Sequence, residues 1–411
     1  MDKRAIVVRG GLVLAPGGKC CPQDLLVEDG KIAAIAAPDF SVSEDAEVVS
    51  AADRLLIPGL ISSHTHSHGA LNRGAVDDKV SLEMFLTGGA SGSESRGVKD
   101  KYLSTALSAA EMIRKGCTAC YDLSAEFPLP SAEGISAMGR AYRDAGMRAV
   151  VAPMITDKTI YEALPGLLEA LPDDIRSRYA SLRSAPGKAT IDACARILAK
   201  WDFDRRWVRP ALGPSIPLHC SDEFLTECER LASEFDVPLQ THLAESRAQA
   251  SLGLARYGKS LVEHLEDLDF LSERLSAAHA IWLGDDDIAR LAQRGVRVAH
   301  NPCSNLRLGS GVAPVRKMIE NGIVVALERM PAARPTGRTC SRRRGSHHIF
   351  PALTALQQKN GCRPATLCSL RRRDRQKSLG LKRLANWRLD MRRTSCSCGW
   401  TVLTSSRCAL R

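Results

Sequence analysis

The 411-residue sequence predicts an α/β protein: a TIM-like (β/α)8 barrel preceded by a small β unit. Three observations predict this fold. Helical patterns that end in glycine are repeatedly followed by apolar runs, eight such runs occur between residues 58 and 327, and polar side chains lie where several of them end. The length suits one large domain with a smaller companion.

Residues 1–57 read as short strands separated by turns. The stretch "EDGK" lies between two apolar alternations, and Asp-Gly supplies the positive φ angles of a tight hairpin. We therefore expect this segment to form a small β unit.

From residue 58 the pattern changes to helix, glycine and strand. "AAEMIRKG" leads into "CTACYDL", "GRAYRDAG" into "MRAVVAPMI", "IARLAQRG" into "VRVAHNP" and "VRKMIENG" into "IVVAL". Glycine just past a helix accommodates a left-handed cap, and an apolar run behind it is typical of a buried parallel strand. Repeated units of this kind predict a parallel sheet covered by helices.

Eight candidate strands lie between residues 58 and 327, which agrees with the barrel's usual size of about 250 residues. They are "LISSHTH", "CTACYD", "RAVVAPM", "VRPALGP", "VPLQTHLAE", "LSAAHAIWL", "VRVAHNP" and "IVVAL". A doubly wound open sheet is the alternative, but it normally has a Gly-rich phosphate loop after its first strand, and this sequence has none there.

Histidines and other polar residues mark the predicted strand ends. In "SSHTHSHG", His64, His66 and His68 alternate along an extended chain and share one face, and imidazole is the commonest metal ligand. The other polar strand ends are His242, Glu245, His279 and the segment from His300 to Asn305. In a barrel, the carboxyl ends of all strands meet at one mouth, so the sequence predicts a metal site there.

Five stretches together resemble the amidohydrolase superfamily, in particular its aminohydrolases and chlorohydrolases that act on nitrogen heterocycles. They are "IPGLISSHTHSHGALNRG", "MIRKGCTACYD", "THLAES", "AAHAIWL" and "VAHNPCSNLRLGSGVAPV". The resemblance covers residues 1 to about 327. It implies a barrel of the metal-dependent hydrolase type that deaminates a purine-, pterin- or pyrimidine-like ring. It also implies a small β-sandwich, of which residues 1–57 form the N-terminal part.

By this resemblance, His64, His66 and His242 bind one divalent metal, zinc first and iron(II) as the alternative. Such a metal lowers the pKa of a bound water towards about 7, and the resulting hydroxide attacks the ring carbon. Glu245 corresponds to the proton shuttle, and His279 to the group that orients the nucleophile and stabilises the tetrahedral intermediate.

The resemblance also assigns substrate contacts to His68, Asn72 and Arg73 on the first loop and to His219 after strand four. A purely structural role for His219 is equally compatible with the sequence. Hydrolysis of a cyclic amide or of a carbon–halogen bond is the second enzymatic hypothesis. Cyclic-amide enzymes often use two metals bridged by a lysine at the end of strand four, and "VRPALGP" has no lysine, which favours one metal.

The segment 328–411 differs from the rest of the chain. It holds 17 Arg and 3 Lys against three acidic residues, a net charge of +17 in a chain whose total is +11. Six of the 14 cysteines lie there, and the segment has no sustained helical or strand period. A basic nucleic-acid-binding arm is one explanation, but Cys396 and Cys398 lack zinc-finger spacing and aromatic residues are sparse.

An out-of-frame translation explains the segment better. The family ends strand eight with Gly-Thr-Asp, whose Asp is the remaining metal ligand. This chain instead reads "IVVALERMPAARP" and has no Asp between Leu327 and Asp374. With suitable synonymous codons, Leu327–Pro331 read one base earlier spells Gly-Thr-Asp-Ala, and Thr339–Arg344 yields Met-Phe-Glu-Glu-Ala. We therefore expect a barrel that is incomplete after strand eight, impaired activity and no nucleic-acid partner.

Neither a secretion signal nor an apolar stretch long enough to span a membrane is found in the sequence, which predicts a cytoplasmic protein with no membrane partner. The cysteines are then expected to be reduced, and Cys117 and Cys120 are interpreted as small core residues of a strand. The sequence leaves open whether the chain forms a homo-oligomer.

Overall fold

A computed structural model describes most of the chain as two compact units. The described residues are 5–15, 18–72, 80–89, 96–180, 185–327 and 400–404. The first unit comprises Met1–Leu60, Ile113–Ala119 and Gly337–Arg411, and the second comprises Ile61–Met112 and Cys120–Thr336. Arg73 and nearly all of the basic segment 328–411 lie outside the described residues.

The first unit contains a mixed six-stranded sheet. Its strands are β1 Ile6–Leu14, β2 Cys20–Glu28, β3 Lys31–Ala36, β4 Glu47–Ser50, β5 Arg54–Pro58 and β15 Trp400–Thr404. The order is β15-β5-β1-β2-β3, and β4 also pairs with β1. The pairs β1–β2, β2–β3 and β5–β15 are antiparallel, whereas β4 and β5 run parallel to β1.

The hairpin predicted at "EDGK" is confirmed, because Asp29 and Gly30 have φ angles of 47° and 73° between β2 and β3. Strand β15 was not expected from the irregular pattern of the basic segment. Its residues "WTVLT" are aromatic and β-branched, the types that fit a pleated surface. The sandwich itself stays a prediction, since the described residues of this unit form one sheet.

The second part of the chain forms strands at eight successive positions, as the helix–glycine–strand pattern predicts. The strands are β6 Leu60–Thr65, β7 Cys117–Ala125, β8 Arg148–Ile155, β9 Val208–Pro210, β10 Gly213–Pro214, β11 Leu239–Leu243, β12 Leu275–His279, β13 Arg297–His300 and β14 Val325–Leu327. The two short strands β9 and β10 together occupy the fourth position, and both pair with β8.

These strands form two sheets, with neighbours β6-β7-β8-β10 in one and β11-β12-β13-β14 in the other. A parallel bridge between Leu212 and Leu239 joins them. Within the described residues no pairing connects β14 back to β6, so closure of the barrel stays a prediction.

Helices separate most of the strands. They are α1 Leu82–Gly89, α2 Val98–Arg114, α3 Ala132–Asp144, α4 Ile160–Ala163, α5 Asp173–Ala180, α6 Gly187–Ala199, α7 Asp222–Glu234, α8 Arg247–Tyr257, α9 Leu261–Asp267, α10 Asp285–Gln293, α11 Pro302–Arg307 and α12 Val315–Glu320. The four predicted helix-terminal glycines, Gly116, Gly146, Gly295 and Gly322, all have positive φ angles. None of the helices in the described part of the chain is both long and apolar enough to cross a bilayer.

Aliphatic side chains of strands and helices form a continuous core in the second unit, including Leu212, Leu225, Leu239 and Leu275. Cys117 and Cys120 are buried in β7, as their interpretation as core residues predicts.

Several apolar side chains at the first and last positions of the strand series are exposed. Ile61 on β6 is 65% exposed, and Leu103 and Leu107 on α2 are 45% and 40% exposed. On the other side of the series, Ile319 on α12 and Val324 before β14 are 39% and 55% exposed. Outward-facing residues of a complete barrel are covered by its outer ring of helices, so both ends of this series lack such cover among the described residues.

We expect Leu225→Ala on α7 to lower the free energy of unfolding by about 2–5 kcal/mol, because the fully buried side chain leaves a cavity in the core. Urea denaturation monitored by circular dichroism measures the change. Leu254→Ala on α8, where the side chain is 59% exposed, is the matched control and should shift stability by no more than about 0.5 kcal/mol. Equal effects of the two variants would contradict this account of the core.

Candidate metal centre

Three imidazole rings from two distant strands meet at one point. His64 lies on β6, His66 follows the end of β6, and His242 lies on β11. Nε2 of His66 is 3.1 Å from Nε2 of His64 and 3.1 Å from Nε2 of His242. The sequence-predicted set is therefore brought together, with its ligand atoms within 4.8 Å of one another.

The opposite nitrogen of each ring is bound to an oxygen atom. Nδ1 of His66 donates to the Leu123 carbonyl at 2.8 Å, and Nδ1 of His242 donates to the Ser215 carbonyl at 2.6 Å. Nδ1 of His64 faces Oε1 of Gln240 at 2.7 Å. A neutral imidazole carries one proton, so these bonds leave the three converging Nε2 atoms as bare lone pairs.

This arrangement fits a divalent metal ion. Three lone pairs that face each other repel unless a cation lies among them. A tetrahedral zinc ion with Zn–N bonds of about 2.0–2.1 Å needs nitrogens about 3.3 Å apart, close to the observed spacing. Burial also lowers the pKa values of His64, His66 and His242, which keeps the rings neutral and ready to bind a metal.

Gln240 is itself held in place on β11. Its Nε2 donates to the Ser63 carbonyl at 3.0 Å and to Oγ of Ser276 at 3.2 Å. These two donated bonds direct the carboxamide oxygen towards His64. Outer partners of this kind fix the tautomer and orientation of a ligating histidine.

Glu245 lies three residues after His242, at the end of β11, and is buried. Its backbone N–H donates to Oε1 of Gln249 at 2.9 Å. Burial, and then the negative charge of Glu83, raise the pKa of Glu245 to about 8. Glu83 on α1 accepts a hydrogen bond from Oγ of Ser246 at 2.6 Å. Glu245 can therefore hold a proton at neutral pH beside the histidine cluster.

His279 is the last residue of β12, and its Nδ1 lies 3.4 Å from Oε1 of Glu245. Its Nδ1 also faces Oδ1 of Asn305 at 2.7 Å. Its φ angle of 70° is unusual for a residue other than glycine, and the N–H of Ala280 donates to the Leu243 carbonyl at 3.0 Å. The end of β12 is paired with the end of β11 at this point, where Leu243 lies opposite His279. Burial lowers the pKa of His279 to about 3, so the ring is neutral.

The predicted substrate contacts are partly assembled around these groups. The rings of His68 and His66 are 5.6 Å apart, and Nδ1 of His68 accepts a bond from the N–H of Ala125 at 3.3 Å. Arg96 donates to both the His68 carbonyl and Oδ1 of Asn72, which ties that loop together. Arg73 lies outside the described residues.

His219 ends a short 3-10 helix after β10, and its positive form would oppose protonation of His242. The His219 carbonyl accepts a bond from the N–H of Lys158 at 3.0 Å, which anchors its loop.

Sequence reasoning did not identify Gln240, nor the Leu123 and Ser215 carbonyls, as supports of the metal ligands. Gln240 precedes His242 by two residues on β11, so strand alternation could have placed both on one face. The carbonyls carry no sequence signal, because every residue has one. Asn305 ends the polar segment predicted at the seventh strand end, and the structure gives it a contact with His279.

Comparison with known proteins agrees with this geometry. The sequence model of the amidohydrolase family matches residues 55–328, and the chain belongs to that family. A 5'-deoxyadenosine deaminase from Methanothermobacter thermautotrophicus is 32% identical over 328 residues, which cover 80% of this chain and 69% of the relative. A 5-methylthioadenosine/S-adenosylhomocysteine deaminase from Syntrophobacter fumaroxidans is 34% identical over 323 residues, 77% of this chain and 66% of the relative.

Solved structures share the fold. Atrazine chlorohydrolase from Arthrobacter aurescens TC1, complexed with zinc, superposes with a TM-score of 0.70 at 25% identity, covering 81% of this chain and 73% of that one. An adenosine deaminase from Xanthomonas campestris with bound zinc gives a TM-score of 0.66 at 24% identity, covering 80% and 70%. The family membership identifies the chain as a hydrolase of carbon–nitrogen bonds, and the matched segment spans about two thirds of each relative's length.

We expect Gln240→Leu to weaken zinc binding about 10–100-fold, because His64 loses the acceptor that fixes its Nδ1 proton. Competition with a chromogenic chelator measures the dissociation constant. Gln293→Leu, at an exposed position of α10, is the matched control and should leave zinc affinity unchanged. Unaltered affinity in Gln240→Leu would show that the bond does not support the ligand.

His219 should make the folded protein less stable as the pH is lowered. Burial lowers the pKa of His219 to about 4, against about 6.5 in an unfolded chain. Between these pH values the unfolded state binds more protons, so the free energy of unfolding decreases as pH drops from 6.5 towards 4. In metal-free protein, His219→Gln should reduce this decrease, as measured by urea unfolding at pH 7.5 and pH 5. An unchanged pH dependence would argue against a buried neutral ring.

Proposed function

We propose that this chain is built to deaminate a nitrogen heterocycle by hydrolysis, replacing a ring amino group with oxygen from water and releasing ammonia. The observation that carries the proposal is that Glu245 and His279 lie together beside three converging imidazoles, with Oε1 of Glu245 3.4 Å from Nδ1 of His279. A proton carrier next to a metal-binding set is the arrangement that hydrolytic deamination needs. The deaminase relatives support the same reaction class.

His64, His66 and His242 would hold a divalent ion, with zinc the first choice because imidazole nitrogen suits it and related folds contain it. When bound, the ion polarises water and makes it nucleophilic at neutral pH. Glu245 would take one proton from the attacking water and pass it to the ring nitrogen. It would then carry a second proton, from the added hydroxyl group, to the amino group, which leaves as ammonia. Its raised pKa suits this exchange near neutral pH.

His279 orients the attacking water in this proposal. With Nδ1 directed at Asn305 Oδ1, the neutral ring keeps Nε2 as a hydrogen-bond acceptor. A fixed acceptor beside the water holds it in one orientation and avoids the cost of reorganising solvent during reaction.

The proposed substrate is an adenine nucleoside or a similar amino-substituted ring. Two relatives above 30% identity carry names that specify 5'-deoxyadenosine, and 5-methylthioadenosine or S-adenosylhomocysteine. His68, Asn72, Arg73 and His219 are proposed to contact it. We further propose a cytoplasmic location and no nucleic-acid partner.

Carbon–halogen hydrolysis is the second candidate, because a structural neighbour named as an atrazine chlorohydrolase shares the fold. The same nucleophile would then displace halide instead of an amine. Chloride release from a chlorinated triazine distinguishes it from ammonia release.

We also propose that the chain as written is impaired, with residues 328–411 translated out of frame. The family match ends at residue 328, where the sequence departs from the expected Gly-Thr-Asp. The exposed apolar residues on β6, α2 and α12 support the idea that a covering helix is missing between the two ends of the strand series. A missing carboxylate ligand would weaken metal binding by more than the about 10–100-fold typical of an outer partner.

Restoring the frame should therefore restore activity. We expect zinc-loaded, frame-restored protein to release ammonia from 5'-deoxyadenosine or a related heterocyclic amine, and the chain as written to be at least 100-fold slower, roughly the upper effect of losing an outer partner. A coupled ammonia assay over a substrate panel measures both. Equal turnover by the two forms, or an undisturbed reading frame in the gene, would refute the frameshift proposal.

In the frame-restored enzyme, Glu245→Gln should lower kcat about 100–10,000-fold, because the amide cannot carry the proton. Zinc content, measured by elemental analysis, should stay the same. Glu223→Gln at an exposed position of α7 is the matched control and should keep full activity. Full activity in Glu245→Gln would remove this residue from the proposed mechanism.

A further inference from the structure

A second polar cluster lies behind the metal-binding histidines. It consists of Asp122 near the end of β7, Tyr142 on α3, Ser67 after β6, and Ser104 and Thr105 on α2. All five residues are at most 1% exposed. Burying a carboxylate in such surroundings is unfavourable unless its oxygens accept hydrogen bonds. The hydrogen-bond partners of Asp122 therefore decide whether its burial is tolerated.

Both oxygens of Asp122 are engaged. Oδ1 accepts the backbone N–H of Ser67 at 2.9 Å, and Oδ2 accepts the hydroxyl of Tyr142 at 2.8 Å. Burial raises the pKa of Asp122 to about 6, and these hydrogen bonds oppose the rise. The carboxylate therefore links the outer helix α3 to the turn that follows β6.

Each polar group of Ser67 takes part in a hydrogen bond. Besides its N–H, its Oγ lies 3.0 Å from Oγ1 of Thr105, and its carbonyl accepts Oγ of Ser104 at 2.7 Å. Ser67 also follows His66 directly. A shift of its backbone would move the preceding ring.

Residues at the end of β7 form hydrogen bonds with three successive residues of this turn, His66, Ser67 and His68. The Leu123 carbonyl accepts Nδ1 of His66 at 2.8 Å, Asp122 accepts the Ser67 N–H, and the Ala125 N–H donates to Nδ1 of His68. The Asp122 contact is the central one of the three. It is also the one made by a side chain, so mutation can remove it without altering the backbone chemistry of the others.

We propose that Asp122 is a positioning residue for the metal centre: through the Ser67 N–H it fixes the backbone beside His66, so that Nε2 of His66 converges with Nε2 of His64 and of His242. The inference rests on the metal site of the proposed function but not on the reaction. Metal affinity depends steeply on ligand orientation, and partners that hold ligands contribute about 10–100-fold.

The test is Asp122→Leu in the full chain, compared with Asp287→Leu. Leucine keeps the branched shape of aspartate and has no oxygen to accept a hydrogen bond, so the Ser67 contact is lost. Asp287 is a matched control because it is buried in the same unit and accepts a serine hydroxyl, from Ser260, and a backbone N–H, from Gly284. We expect both variants to lower the stability of metal-free protein in urea. Zinc affinity, measured by chelator competition, should fall about 10-fold in Asp122→Leu and stay within about twofold in Asp287→Leu.

A second readout does not require metal. In metal-free protein labelled with 15N-histidine, the Nδ1–H of His66 should exchange with solvent faster in Asp122→Leu than in the parent chain. Tyr142→Phe, which removes one donor and leaves the Ser67 contact, should change both readouts in the same direction but less. If Asp122→Leu does not fold, Tyr142→Phe serves as the test variant instead.

Equal zinc affinities in the parent and Asp122→Leu, with unchanged His66 exchange, would overturn the proposal. An equal loss in Asp287→Leu would do the same, because it would reduce the effect to general destabilisation. Turnover enters neither readout, so a failure to release ammonia would count against the proposed function and leave this inference standing.

Discussion

The site depends on where three protons lie. The Nδ1 atoms of His64, His66 and His242 each face an oxygen atom, and their Nε2 lone pairs are consequently left facing one another. Without a cation among them, the three lone pairs repel one another. A divalent cation turns the same geometry into attraction, which is why preorganised lone pairs are characteristic of a metal site. The acceptors come from β7, β11 and the segment after β10, so the order of strands around the fold creates the site.

Burial extends this logic to the neighbouring groups. In a medium of low dielectric constant the charged form of an isolated group is disfavoured, so histidines stay neutral and carboxylates retain protons more readily. The neutral His279 and the raised pKa of Glu245 both follow from this effect. The fold thus gathers three neutral imidazoles, a carboxyl group with a raised pKa and a fourth neutral ring without placing unpaired charges in the interior.

Residues 1–327 and residues 328–411 differ in their sequence patterns. Through residue 327, apolar periodicity, glycine positions and buried polar contacts agree with one another, as expected of a sequence that specifies a fold. Beyond that point the sequence carries a net charge of +17 and has no sustained helical or strand period. The exposed Leu103 and Leu107 on α2, at one end of the strand series, are what an element lacking its neighbour would present to solvent.

The sequence by itself determined the local elements and the chemical types of the ligands. The Asp29–Gly30 turn and the four helix-terminal glycines were readable because they depend on backbone preferences of a few adjacent residues. The metal set was predicted from the resemblance to the amidohydrolase superfamily, and the barrel order adds that histidines at strand ends converge at one mouth. Only the tertiary structure identified Gln240 as the partner of His64, a residue 176 positions away, and the Leu123 and Ser215 carbonyls as acceptors. Such contacts arise when distant backbones approach, and a carbonyl group, common to every residue, leaves no mark in the sequence.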